Sequence, residues 1–201
     1  MKISTLMIPD PITIPKSTTI QEAIEVMKAY SIRHLPVVSE DNRLEGFVTL
    51  ADLKQGLIPS MVGDFSLADL MIKDPITVHP EDEVETAARY IYNHKIGGIP
   101  VVREGFLVGI ITESDILRAF IDIMGLMTAS SRIEVAVGPE PGALGEALRV
   151  IGESGGDVIS VGMPPNRTEG RVYFFRLSAC STAPIKEALE HKGFQVLAAL
   201  D

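Results

Sequence analysis

The chain has no tryptophan and a single cysteine, and aromatic residues make up only 5% of its 201 residues. With so few rings, its cores have to be built from Ile, Val, Leu and Met. The lone Cys180 excludes an intramolecular disulfide. Within YFFRLSACS it reads as a small hydrophobe at the end of a strand. No run of lysine and arginine occurs, the formal charge is −9 and the pI is near 5.0. A clustered basic face for neutralising phosphates is therefore missing, which argues against a nucleic-acid partner. No apolar stretch reaches the ~18 residues of a membrane span, and MKISTLMIPDP has no signal-peptide core. The sequence reads as a soluble, cytoplasmic protein without a membrane partner. It has no H-x-x-x-H or C-x-x-C spacing for a metal, no G-x-x-x-x-G-K-[ST] loop and no nucleophile–base pair. We therefore expect no metal, no catalytic cofactor and no enzyme activity. Hydrophobic residues make up 46% and charged residues 22%, a balance that supports packed cores.

What the chain does have is a duplication. Residues 6–13 read LMIPDPIT and residues 70–77 read LMIKDPIT. At the same offset, Leu35-Pro36-Val37-Val38 matches Ile99-Pro100-Val101-Val102. One deletion later, Gly46-Phe47-Val48-Thr49 with Asp52 matches Gly109-Ile110-Ile111-Thr112 with Asp115. In the first copy, Thr18 or Thr19 opens a helix with a capping box to Gln21 or Glu22, and Ile20, Ala23, Ile24 and Met27 follow helical spacing. Strands follow at 35–38 and 44–48 around an Asp41-Asn42 turn, then a short helix from about Ala51. In the second copy, Asp82 with Glu85 is expected to cap the helix. Strands at 101–102 and 107–111 flank Glu104-Gly105, and a helix runs from Ser114 to about Met127. Two halves of this kind can pack face to face and leave two related clefts.

Beyond the small residues of 125–131 the pattern changes. Strand 132–137, a helix opened by Pro141-Gly142, strands 158–161 and 172–177 around a Pro164-Pro165-Asn166 loop, helix 183–192 and strand 194–200 give β-α-β-β-α-β, the ferredoxin-like order. The domains expected are 1–65, 66–127, a linker at 128–131, and 132–201. The fold class is α+β.

The motifs D-P-I-T, L/I-P-V-V and G-h-h-T-x-x-D, each twice and in order, resemble a tandem pair of cystathionine-β-synthase-type (CBS) domains, a Bateman module. The tail resembles an ACT domain. Together they look like the small CBS–ACT proteins, including those named for acetoin utilisation. The resemblance implies a regulatory sensor, a homodimer, that binds AMP, ADP, ATP or a related adenosyl ligand such as S-adenosylmethionine or NAD between the repeats. Thr49 and Thr112 would meet phosphate where a strand turns into a helix, and Asp52 and Asp115 would accept from the ribose hydroxyls. Thr13-Ile14 and Thr77-Val78 would hold the adenine, while His34, Leu35 and Pro36, with Gly98, Ile99 and Pro100, would line the same clefts. Ser114 and Arg118 would favour the second site as a phosphate partner, so the two clefts need not be equally competent.

Alternatives remain at this point. Thr-x-x-Asp is also an ordinary capping signature. Arg33 and His34 fit either a phosphate contact or an exposed strand entrance. His79 and His94 read as solvated, and His191 complements a helix dipole. In the ACT-like part the effector loop would be Pro139, Glu140, Gly142, Ala143 and Leu144. Pro139 stands where the family has Asp, and Asp157 where it often has Asn. The tail thus reads as a pairing domain in preference to an amino-acid sensor. An interaction module with empty clefts is the other class to weigh.

Overall fold

The computed structural model describes residues 1–55, 65–164 and 171–201. They form two compact units, Met1–Leu117 and Arg118–Asp201. In the first, a 3-10 turn at Ile3–Thr5 and β1 (Ile8–Pro9) precede α1 (Ile20–Ala29), β2 (His34–Val38), β3 (Leu44–Thr49) and α2 (Leu50–Gln55). The second copy supplies α3 (Leu67–Leu70), α4 (Val84–His94), β4 (Gly98–Arg103), β5 (Phe106–Thr112) and α5 (Glu113–Ile123).

Local chemistry accounts for most of these boundaries. Thr19, not Thr18, caps α1: its hydroxyl accepts from the Glu22 N–H, and the Glu22 carboxylate accepts from the Thr19 N–H. The box expected from Asp82 and Glu85 does not form. Glu83 is the N-cap of α4, and the Asp82 carboxylate instead accepts from the His79 N–H at 2.8 Å. The helix after β5 stops at Ile123, short of the expected Met127, because the chain turns left-handed at Gly125 (φ +64°).

The repeats exchange their leading segments. β1, from the first copy, pairs antiparallel with β5 of the second, Ile8 opposite Ile110 and Pro9 opposite Gly109. The matching segment of the second copy returns the exchange: Phe47 and Ile72 trade backbone hydrogen bonds of 3.0 and 2.9 Å. The cores follow the same rule. Leu67 and Met71 are buried with Ile24, Leu35, Val48 and Leu53 of the first copy, and Ile3 is buried with Ala87, Ile99 and Ile111 of the second. Both glycines of the G-h-h-T-x-x-D motif are needed for this crossing. A Cβ on Gly109 would sit 2.7 Å from Met7 Sδ and 3.1 Å from Ile8 O, and one on Gly46 would meet Met71 Sδ and Ile72 O at the same distances. The hairpin tips also meet: Asn42 Nδ2 donates to Leu107 O at 2.9 Å, and the Arg43 guanidinium lies 4.3 Å from the Phe106 ring centre.

The second unit contains β6 (Ser130–Val137), α6 (Ala143–Glu153), β7 (Val158–Gly162), β8 (Arg171–Ser178), α7 (Ala183–His191) and β9 (Gln195–Leu200). They form one antiparallel sheet in the order β7-β8-β6-β9. Ile133, Val135, Val137, Phe175 and Leu177 are buried against Ile151, Ile185 and Leu189 of the two helices. β6 begins two residues before the expected strand, because Ser130 and Ser131 pair with Ser178 and Leu177 and the Ser131 hydroxyl bonds both the N–H and C=O of Cys180. Two residues of the expected Pro164-Pro165-Asn166 loop, and the stretch 56–64 that ends the first copy, lie outside the described residues.

Candidate functional site

Each Thr-x-x-Asp motif joins the end of a strand to the start of a helix. Thr49 closes β3 and Asp52 lies in the first turn of α2. The Asp52 Oδ2 accepts from the Thr49 N–H at 2.9 Å and from its hydroxyl at 2.7 Å. Thr112 and Asp115 repeat the arrangement at 2.8 and 2.6 Å. Both threonines are therefore caps, and their hydroxyl protons are already committed. Among the described residues, the other oxygen, Oδ1, of each aspartate has no hydrogen-bond partner. It can accept from a hydroxyl without disturbing the helix start.

Each aspartate lines a cleft, and the exchange of leading segments decides what stands opposite. The Asp115 cleft, about 360 Å³, combines Thr112, Ser114 and Asp115 of the second copy with Asp10, Pro11, Ile12 and Ser31–His34 of the first. The Asp52 cleft, about 680 Å³, combines Phe47, Thr49, Asp52 and Lys54 of the first copy with Asp74, Pro75, Ile76 and Lys95–Gly98 of the second. Both volumes fall in the range of small-molecule sites.

The base-holding residues expected at Thr13-Ile14 and Thr77-Val78 are not among those lining either cleft. Ile14 is 4% exposed and pairs with β2: its N–H donates to Pro36 O, and its C=O accepts from the Val38 N–H. Val78 does the same with Pro100 and Val102. The apolar walls are supplied two residues earlier, by Pro11-Ile12 and Pro75-Ile76. Leu35, Pro36, Ile99 and Pro100 are buried in the hairpins, Leu35 and Ile99 within the two cores. His34 and Gly98 do line a cleft, and Ser114 lines the Asp115 cleft. Arg118 is exposed on α5 and does not line that cleft. In the second unit Pro139 and Glu140 are exposed, Gly142 is the left-handed N-cap of α6 (φ +89°), and Ala143 and Leu144 are packed against the core.

His34 and Arg33 belong to both clefts. The imidazole stacks on Phe47 (5.8 Å between centres, 13° between planes) and covers the positions where Gly97 and Gly98 lack side chains. A Cβ on Gly97 would be 2.8 Å from His34 Nε2. Burial, and then the neighbouring Arg33 cation, push His34 below its ordinary value near 6.5, while Glu113 and Asp52 pull the other way. Arg33 reaches Glu113 at 3.7 Å. Two sequence signals could have revealed this shared wall: repeat offset alone aligns Arg33-His34 with Gly97-Gly98, and glycines in line with bulky residues mark a place where one copy fills space for both.

The CBS-domain profile matches residues 3–58 and 67–122. A CBS domain-containing protein of Dictyostelium discoideum is 30% identical over 134 residues, covering 61% of this chain and 92% of that one. A homoserine O-acetyltransferase of Methanocorpusculum labreanum is 37% identical over 115 residues, but these are 56% of this chain and only 23% of the enzyme. Among solved structures, a Vibrio cholerae protein named for acetoin utilization (AcuB) shows 34% identity, covers 63% of this chain and 94% of its own, and superposes with a TM-score of 0.56. The CBS domain pair of protein MJ0100, in complex with 5′-methylthioadenosine and S-adenosyl-L-methionine, shows 30% identity, 60% and 95% coverage and a TM-score of 0.56. CBSX2 in complex with AMP shows 30%, 61% and 97%, and 0.54.

Proposed function

The chain belongs to the CBS-domain family, and on that footing we propose that it is a non-enzymatic sensor whose two clefts take adenosine-type ligands: AMP, ADP or ATP, S-adenosylmethionine, or NAD. The observation that carries this reading is the pair of capped aspartates, Asp52 and Asp115. Each is fixed by its own threonine with one carboxylate oxygen left over, in a cleft whose opposite wall is a Pro-Ile pair from the other copy. A fixed acceptor reads a sugar diol, and an apolar wall takes the flat face of a base. The adenosyl ligands of MJ0100 and CBSX2 agree with this choice. Because each cleft is made from both copies, a ligand that fits one arrangement of the copies better than another shifts the balance between them.

The second unit fits an ACT-like domain at 132–201. The order β7-β8-β6-β9 and the entry to α6 through Pro141-Gly142 support that assignment. Its role would be pairing two copies of the chain, with amino-acid binding the lesser alternative. Ligands held by the native fold raise its stability by about 2.7 kcal/mol at a hundred times Kd. Thermal melting with millimolar AMP, ATP and S-adenosylmethionine is therefore expected to show an upward shift, lost in the double variant Asp52→Asn/Asp115→Asn. Melting curves that none of these compounds moves would refute the reading. Native mass spectrometry of freshly purified protein would identify a ligand that survives purification.

A further inference from the structure

We infer that the two clefts divide adenosyl ligands by charge: the Asp52 cleft takes phosphate-bearing nucleotides, and the Asp115 cleft takes an adenosyl group whose 5′ substituent is neutral or cationic. This rests on the reading that the clefts hold adenosyl ligands at all. Equivalent positions of the two copies differ in charge. Lys54 and Lys95 both line the Asp52 cleft, one from each copy. Repeat alignment places Leu117 at the position of Lys54 and Ser31 at that of Lys95. Ser31 lines the Asp115 cleft in the place of Lys95.

Arg33 borders both clefts but lies 3.7 Å from the Glu113 carboxylate. The Asp115 cleft presents two carboxylates, Asp10 and Asp115, and no lysine; the Arg33 guanidinium at its edge is shared with the Asp52 cleft and with Glu113. The Asp52 cleft presents two carboxylates, Asp52 and Asp74, and two ammonium groups. Among the described residues neither lysine is within ion-pair distance of a carboxylate; Lys95 Nζ lies over the Tyr92 ring at 4.4 Å. Both threonine hydroxyls donate to their aspartates, so recognition of a phosphate falls to side-chain cations, and the Asp52 cleft has two lysines that the Asp115 cleft lacks. It is also the larger of the two, about 680 against 360 Å³, which leaves room for phosphates beyond a nucleoside. Two carboxylates without a lysine disfavour a phosphate dianion and favour a sulfonium or an uncharged thioether.

The test is isothermal titration of the full chain with AMP and with adenosine. Native protein should take one AMP per chain, and Asp52→Asn should abolish that binding while Asp115→Asn leaves it. The double variant Lys54→Ala/Lys95→Ala should weaken AMP by about tenfold or more, since charge-assisted contacts to phosphate are lost, with adenosine affinity unchanged. Retained adenosine binding also shows that the variant is folded. Added salt should weaken AMP and not adenosine. AMP binding that survives the double variant, or that is lost with Asp115→Asn instead of Asp52→Asn, overturns the division by charge while leaving adenosyl binding intact. If neither AMP nor adenosine binds the native chain, adenosyl recognition itself falls, and the division with it.

Discussion

At the residue scale, His34 is a half-buried side chain whose protonation bears on the fold. It is wedged against Phe47 and two glycines with Arg33 beside it, and its neutral form is favoured by burial and by that cation. A histidine held below its ordinary value binds fewer protons folded than unfolded. Its contribution is therefore intact above about pH 6.5 and is lost as the pH falls from there toward the lowered folded value. Melting temperatures measured from pH 8 down to 5 should decline in the acid part of that range, and His34→Asn should flatten the decline; parallel curves for the two proteins would remove His34 as the cause. Glu83 acts at a lower pH. Held to about 2 by Lys2 and the terminal amine, it withdraws its contribution only as the pH drops below its ordinary 4.5, so the two effects separate.

At the scale of elements, much is legible in the sequence. The Thr19–Glu22 box, the Pro-Val-Val strands and the Glu104-Gly105 turn (φ +54° and +86°) each rest on chemistry between neighbours in the chain, which a sequence displays directly. The capping of α4 misleads because the Asp82 carboxylate is taken by the His79 N–H, at the bend before the helix. The apolar wall of each cleft falls two residues before Ile14 and Val78, which look like any apolar wall until their pairing with β2 and β4 turns them inward. Pairing between distant strands leaves no periodic trace, and so the β1–β5 crossing is invisible in the sequence. It does leave one test. Gly109→Ala puts a methyl against Met7 and the Ile8 carbonyl, and should cost about 1–3 kcal/mol as overpacking. Urea unfolding of Gly109→Ala, and of Gly109→Ala/Met7→Ala in which part of the loss should return, measures it. A neutral Gly109→Ala would mean that β1 does not dock there.

At the scale of the whole molecule, the first residues behave as core. Ile3 is fully buried, its N–H donates to Asp82 O at 2.9 Å, and Val84 N–H donates to Met1 O at the same distance. Ile3→Ala should therefore destabilise the first unit by about 2–5 kcal/mol, the range of a large-to-small change in a packed interior; chemical denaturation that finds a loss below about 0.5 kcal/mol, the size of an ordinary surface change, would show the segment to be frayed. The duplication itself is plain in the sequence, while the ownership of each segment is not, because similarity groups residues 3–9 with the rest of the first copy and packing groups them with residues 78–111. The consequence reaches back before the duplication. A single copy carries a leader that docks on a neighbour's sheet, so on its own it would close by trading leaders with an identical twin, giving a symmetric swapped pair with two equal clefts. Joined in one polypeptide, the two copies are free of that symmetry. A bulky pair, Arg33-His34, can therefore stand on one side against glycines on the other, and a lysine can correspond to a serine.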